Sequence, residues 1–267
     1  MPMQHGKVLL ETIDGVAVLT LNDPAALNAF GIKLRADMFD AMDIIEAGGA
    51  RALLITGAGR GFCSGANLND PDRAPRDRAA EARGEVTNDL EAWYNPMFLR
   101  LRDLRIPVVA AINGVAAGAG MSLALSADIR IAARSASFLQ AFARIGLVPD
   151  CGSSFLLPRL IGTARALELS LLAEPLTAET ALAWGMINRV VDDAALMHEA
   201  MAMARRLADG PASLGMIRRL YWEGMTNSYP EQLALEARLQ VAAGVTEDFQ
   251  EGVAAFREKR KPRFTGR

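Results

Sequence analysis

Residues 107–125 read PVVAAINGVAAGAGMSLAL, and this stretch decides the fold. The run 107–112 is apolar, rich in β-branched residues and too short for a helix, so it reads as a buried strand. Asn113-Gly114 then turns the chain, and a glycine- and alanine-rich segment through Gly120 leads into a helix ending near Ser126. Residues 106–127 carry no charge, and Gly114-x-x-x-Gly118 mimics a transmembrane packing motif. Pro107, Asn113, Gly114, Gly118 and Gly120 interrupt the run, however, and its bulk is alanine. A strand, a turn and a helix inside a fully covered layer account for it better than a membrane span.

The same rhythm extends outward. Strands are predicted over 16–21 (VAVLTL), 52–56 (ALLIT), 107–112 and 129–132, with a helical pattern over 32–46 and a turn over 57–61. Alternating strand, turn and helix argues for an α/β core. Residues 70–85 (DPDRAPRDRAAEARGE) are charged, hold two prolines and show no apolar face, so they read as a mobile surface loop or a solvated helix. An amphipathic helical pattern resumes over 86–104. Beyond Thr163 the only strand expected lies near 187–191. Helices are predicted over 164–172, 178–184, 194–208, 213–225, 230–243 and 247–259. The last has Glu247 and Asp248 in its first turn and Arg257, Lys259 and Arg260 at its end, which suits the helix dipole. The chain is expected to divide into an α/β part, 1–208, and a helical oligomerisation part, 209–267.

Composition removes several function classes. The chain has 267 residues, 51% of them hydrophobic, enough to bury a large core without covalent staples. The 29 basic and 31 acidic residues nearly balance, and no basic stripe stands out, so nucleic acid is not an expected partner. Two cysteines, Cys63 and Cys151, allow neither a disulfide framework nor a cysteine-rich zinc site, and no metal site is expected. Two histidines, His5 and His198, leave a Ser-His-Asp or Cys-His mechanism almost without a base. Residues 1–15 carry Lys7, Glu11 and Asp14 and lack the apolar stretch of a secretory leader. The expectation is a soluble protein of a reducing, cytoplasmic compartment, without a membrane partner.

Two glycine-rich turns follow apolar strands: Gly57-Ala58-Gly59-Arg60-Gly61-Phe62-Cys63-Ser64-Gly65-Ala66-Asn67-Leu68, and Asn113 through Leu123. Neither has the lysine and hydroxyl of a P-loop or the spacing of a dinucleotide fingerprint. Small residues there could merely permit close packing. They could also expose backbone N–H groups, two of which aimed at one point would bind a developing oxyanion.

These turns, with Leu27-Asn28-Ala29, Asp128-Ile129, Gly146-Leu147-Val148-Pro149-Asp150, Leu157-Pro158-Arg159-Leu160 and Ala183-Trp184-Gly185-Met186-Ile187 in that order, resemble the crotonase (enoyl-CoA hydratase/isomerase) superfamily. The resemblance spans essentially the whole chain. It implies a spiral of ββα turns with a helical C-terminal trimerisation region, assembled as a homotrimer or a dimer of trimers. It implies an acyl-CoA thioester substrate and no separate cofactor, since coenzyme A enters with the substrate. The oxyanion donors fall on the N–H groups of Ala66 and Ala119. Substrate contacts are implied for Ala26, Leu27, Ser64, Gly65, Asn67, Leu68, Gly118, Ser122, Phe142 and Lys259, the last within a basic run that could reach coenzyme A phosphates across a subunit boundary or simply be a solvated tail.

The side chains that separate the family's reactions are unusual here. Ser122 and Phe142 stand where its hydratases carry two glutamates, and neither is a base at neutral pH. Ser122 also reads as an ordinary buried helix residue. Asn67 stands where many relatives have aspartate, and is expected to shape its loop. Cys63 reads as a small buried thiol. Asp150 is the remaining carboxylate, placed where double-bond-shifting members carry a catalytic acid; a helix N-cap is its other reading. Its segment and the tail 249–266 resemble the family's ring-1,2-epoxyphenylacetyl-CoA isomerases of bacterial phenylacetate degradation. One carboxylate in an apolar pocket can take a proton from one carbon and return it to another. The favoured expectation is an acyl-CoA isomerase that shifts a double bond or converts a ring epoxide to an oxepin. The alternatives are an enoyl-CoA hydratase using Asp150 with Ser122 or a water, and a non-catalytic scaffold that binds acyl-CoA or RNA. Trp93, Tyr94 and Phe98 read as helix core that could also close over an acyl group.

Overall fold

The computed structural model describes residues 3–73, 75 and 77–267. Its strands are β1 (Val8–Ile13), β2 (Val16–Leu21), β3 (Ala52–Gly57), β4 (Gly61–Cys63), β5 (Val108–Ile112), β6 (Val115–Ala117), β7 (Ile129–Ala133), β8 (Ser137–Leu139), β9 (Leu176–Thr177) and β10 (Arg189–Val191). They form two sheets, ordered β1-β2-β3-β5-β7-β10 and β4-β6-β8-β9. Three successive pairs, β3/β4, β5/β6 and β7/β8, each send their first strand to the large sheet and their second to the small one. Within each sheet these strands run parallel, with β3, β5 and β7 adjacent and β4, β6 and β8 adjacent. This is the spiral of ββ-containing turns that the sequence led us to expect.

The long strands form because their side chains are apolar on both faces. Every residue of β3 and β5 is buried. The helices are α1 (Ile32–Ala47), α2 (Arg78–Ala82), α3 (Asn95–Asp103), α4 (Ala119–Leu125), α5 (Ser153–Ile161), α6 (Thr163–Leu172), α7 (Ala178–Ala183), α8 (Leu196–Ala208), α9 (Ser213–Gly224), α10 (Tyr229–Gly244) and α11 (Glu247–Glu258), of which α1, α4, α7 and α8 pack against the sheets. Helix α8 lays Leu196, Ala200, Ala204 and Ala208, one stripe at helical spacing, against β3 and β5. All of α4 is buried, as befits a helix inside the layers. No helix among the described residues is long and apolar enough to cross a membrane.

Four local expectations need correction. β1 is a strand that the pattern did not announce; it pairs antiparallel with β2 across the Asp14-Gly15 turn. β9 adds a strand beyond Thr163, held by pairing with β8. The predicted helix over 86–104 is instead a π-helical turn, Leu90–Tyr94, followed by α3. Pro96 supplies the reason: with no N–H it cannot bond to the residue four before it, and the Asn95 N–H reaches back to the Leu90 carbonyl. The 70–85 segment is anchored rather than merely solvated. Asp70 accepts the Ile32 N–H at 2.6 Å, capping α1 from 38 residues away, and Ala80 of α2 is buried. Two of its residues, Ala74 and Arg76, lie outside the described residues.

Candidate active site

Strand β4 and the turn after it deliver Ala66, while β6 and Gly118 deliver Ala119 at the first position of α4. The two turns touch. A Cβ on Gly65, whose φ is +95°, would lie 2.8 Å from the Ala117 oxygen and 3.5 Å from the Ala119 nitrogen. Only glycine allows that approach. Ala66 is fixed by a bridge to Phe30: Phe30 N–H donates to the Gly65 carbonyl at 2.7 Å and Asn67 N–H to the Phe30 carbonyl at 3.2 Å. The Ala66 N–H lies between these two bonds and has no acceptor among the described residues. Neither does the Ala119 N–H, one of the orphan donors of a helix start. Two free amides thus sit at one contact, able to receive one oxygen.

Ser64, Gly65, Ala66, Asn67, Leu68, Gly118, Ala119, Phe142 and Asp150 all line one cavity of about 870 Å³. Phe142 is buried and its ring stands against Gly118. Asn67 accepts the Asn69 N–H at 3.0 Å, which shapes the loop as expected. Four expected residues are not on the cavity wall. Ala26 and Leu27 lie behind it, their carbonyls accepting from the Ser64 hydroxyl at 3.1 Å and the Ser64 N–H at 3.0 Å. Ser122 is fully buried inside α4, its hydroxyl within reach of the Gly118 and Asp150 carbonyls. Lys259 ends α11 with φ +53° and does not reach the cavity within one chain.

Asp150 does not cap a helix: the N-cap of α5 is Gly152, with no side-chain cap. The Asp150 Oδ1 is buried and has no hydrogen-bond partner among the described residues. Burial raises its carboxyl above the ordinary carboxylate range, and a hydrogen bond with the Cys151 thiol offsets part of that rise. The other carboxylates on the wall are engaged. Asp70 caps Ile32, Glu81 faces Arg78 at 3.5 Å, and Asp89 faces Arg73 at 3.4 Å and Arg35 at 3.6 Å. Burial pushes the Cys63 thiol up to about 12, so it is a protonated packing group rather than a nucleophile. Cys151 is pushed up as well, by burial and then by the adjacent carboxylate.

Two further residues, Tyr94 and Arg35, line the wall. Tyr94 is core, packed edge-on against Phe30 at 5.8 Å, yet it also faces the cavity and feels the Asp150 charge. Burial keeps its phenol protonated. Arg35 is buried between Trp93 and Tyr94, 5.5 Å from each ring centroid. Its helix position carries no motif, so nothing in the sequence marked it. Phe98 lines a different cavity, between α3 and α9.

The pattern of the Enoyl-CoA hydratase/isomerase family matches residues 11–267. The chain is 47% identical over 262 residues to the 1,2-epoxyphenylacetyl-CoA isomerase of Escherichia coli, covering 97% of this chain and 98% of that protein. It is 44% identical to a Rhodobacter capsulatus protein named "Probable enoyl-CoA hydratase", covering 99% and 100%. Among solved structures, the enoyl-CoA hydratase of Bacillus anthracis superposes with a TM-score of 0.88 at 28% identity, over 98% of this chain and 100% of that one. Sequence, spiral topology and paired amide turns agree, and the chain belongs to the enoyl-CoA hydratase/isomerase, or crotonase, family of enzymes.

Proposed function

We propose that the chain is an acyl-CoA isomerase. The observation that carries this reading is the Asp150 carboxyl, with its buried Oδ1 unpartnered among the described residues, in the same cavity as two amides without acceptors there. The thioester oxygen accepts from the Ala66 and Ala119 N–H groups. As a proton leaves the carbon chain, negative charge grows on that oxygen, and each preorganised donor contributes about 3 kcal/mol there. Asp150 takes the proton and returns it to another carbon, which moves the double bond with no net gain or loss of atoms. Phe142, standing where the family's hydratases place a glutamate, brings no carboxylate there to hold a water. The Escherichia coli relative supports a ring-1,2-epoxyphenylacetyl-CoA substrate, converted to the oxepin.

Assembly belongs to the same proposal. Tyr221, Tyr229, Val241, Val245 and Phe256 are exposed apolar side chains on or beside the C-terminal helices. A homotrimer or a dimer of trimers would cover them, and would let Lys259 reach a neighbour's coenzyme A. Two free, buried cysteines suit a reducing cytoplasm.

The test is incubation with 3-enoyl-, 2-enoyl- and ring-epoxide phenylacetyl-CoA, followed by mass spectrometry and ultraviolet absorbance. The expected product has unchanged mass and a shifted spectrum. Asp150→Asn should lower turnover by about 10²–10⁴-fold and still bind the CoA ester. Gain of one water on 2-enoyl-CoA would favour hydration instead. Tight binding without any turnover would make the chain a scaffold.

A further inference from the structure

We infer that Ser122 and Ser153 are positioning residues that hold the Asp150 main chain and so aim its carboxylate, a role that rests on the proton shuttle proposed above. Asp150-Cys151-Gly152-Ser153 forms a tight turn closed by the Ser153 N–H, which donates to the Asp150 carbonyl at 3.0 Å. Both central residues have positive φ, +52° at Cys151 and +79° at Gly152, the signature of a type I′ turn. Glycine adopts this conformation freely, whereas cysteine does so only when its surroundings hold it there.

Cys151 is packed in the apolar core, and two hydroxyls meet the carbonyl at the start of the turn. The Ser153 Oγ lies 2.9 Å from the Asp150 carbonyl oxygen and the Ser122 Oγ 3.1 Å from it. Both serines are buried. The Ser122 Oγ is also 3.3 Å from the Gly118 carbonyl, one turn back in α4. That hydroxyl therefore sits between the turn bearing the base and the helix whose first residue, Ala119, offers an oxyanion donor. Proton shuttling needs the carboxylate and the held thioester in fixed register, and a displacement of about 1 Å can cost about 10²-fold in rate. Among the described residues the carboxylate has no hydrogen bond from outside its own turn: Oδ1 has no partner, and the Cys151 thiol belongs to the same stretch of main chain. Its aim therefore follows that main chain.

The experiment compares four variants in the isomerase assay: Ser122→Ala, Ser153→Ala, Ser122→Thr and the control Ser126→Ala. Ser126 is a buried serine one turn on, at the C-terminal end of the same helix, bonded to the Ser122 carbonyl at 2.9 Å and not to Asp150. The expected result is a fall in kcat of about 10–10²-fold for Ser122→Ala and Ser153→Ala, with KM changed less than about threefold. Their acid limb in the pH–rate profile should also move toward that of an ordinary aspartate. Ser122→Thr, which keeps the hydroxyl, should recover most of kcat, and Ser126→Ala should behave as the parent. Should Ser122→Ala fail to fold, Ser153→Ala with Ser122→Thr reads the same effect. If Ser122→Ala and Ser153→Ala match Ser126→Ala in kcat, KM and acid limb while Asp150→Asn is inactive, the positioning role is wrong and the shuttle stands. If Asp150→Asn is itself active, the shuttle is wrong and the positioning role goes with it.

Discussion

At the scale of one residue, the Asp150 carboxyl trades stability for reactivity. Burial raises its proton affinity in the folded chain above that in the unfolded chain. Below both values the group is protonated in both states and contributes nothing to the pH dependence. As pH rises through the raised folded value, the ionised carboxylate opposes folding. Asp150→Asn should therefore raise Tm at pH 7, and that gain should vanish when melting is repeated below the ordinary carboxylate range. The same shift places the acid limb of kcat/KM above the range of an ordinary aspartate, because the shuttle needs the ionised form. A variant less stable than its parent at pH 7, or an acid limb at the usual aspartate position, would show that the carboxyl is not desolvated as described.

At the scale of elements, the site depends on how closely α4 approaches β4. A Cβ on Gly120 would lie 2.0 Å from the Cys63 oxygen and 2.6 Å from its carbonyl carbon. In an open helix Gly→Ala gains about 1 kcal/mol. Here the backbone of β4 occupies the space, so Gly120→Ala should destabilise by about 1–3 kcal/mol in urea unfolding and displace the Ala119 donor, lowering kcat with it. Long elements such as β3, β5 and α8 were legible in the sequence because burial on both faces, or along one stripe, leaves a direct hydrophobic pattern. The three-residue strands β4, β6 and β8 were not. Gly61-Phe62-Cys63 or Ser137-Phe138-Leu139 is too short to carry a period, and each becomes a strand only through its neighbours in the spiral. The candidate site divides in the same way. The oxyanion turns announce themselves by local composition, whereas the Ser122–Asp150 contact joins residues 28 apart and leaves no local trace. Arg35 and Tyr94 were hidden for a related reason, since a cavity wall and a core look alike in a helical pattern.

At the scale of the molecule, one cluster ties the C-terminal helices to the large sheet. Arg218 of α9 is buried, and its Nε donates to both Asp128 oxygens at 3.0 and 2.8 Å. Its other nitrogens donate to the carbonyls of Leu101, Arg102 and Leu104, at the otherwise uncapped end of α3. Asp128 also accepts the Val108 N–H of β5 at 2.7 Å and the Trp222 indole N–H at 3.3 Å. One guanidinium thus serves three elements, and its removal leaves a partly buried carboxylate and several carbonyls unmatched. Arg218→Met keeps much of the stem's apolar volume but none of these bonds. It should cost about 3–5 kcal/mol, read as a lower urea midpoint at fixed protein concentration. The paired variant Arg218→Met with Asp128→Asn separates the causes. If the unmatched charge dominates, Asp128→Asn should recover part of the loss, because a neutral amide is cheaper to leave without its cation. If the carbonyls of α3 dominate, the second substitution should recover nothing, and helix α3, which follows directly after Tyr94 on the cavity wall, should be the first element to lose amide-exchange protection.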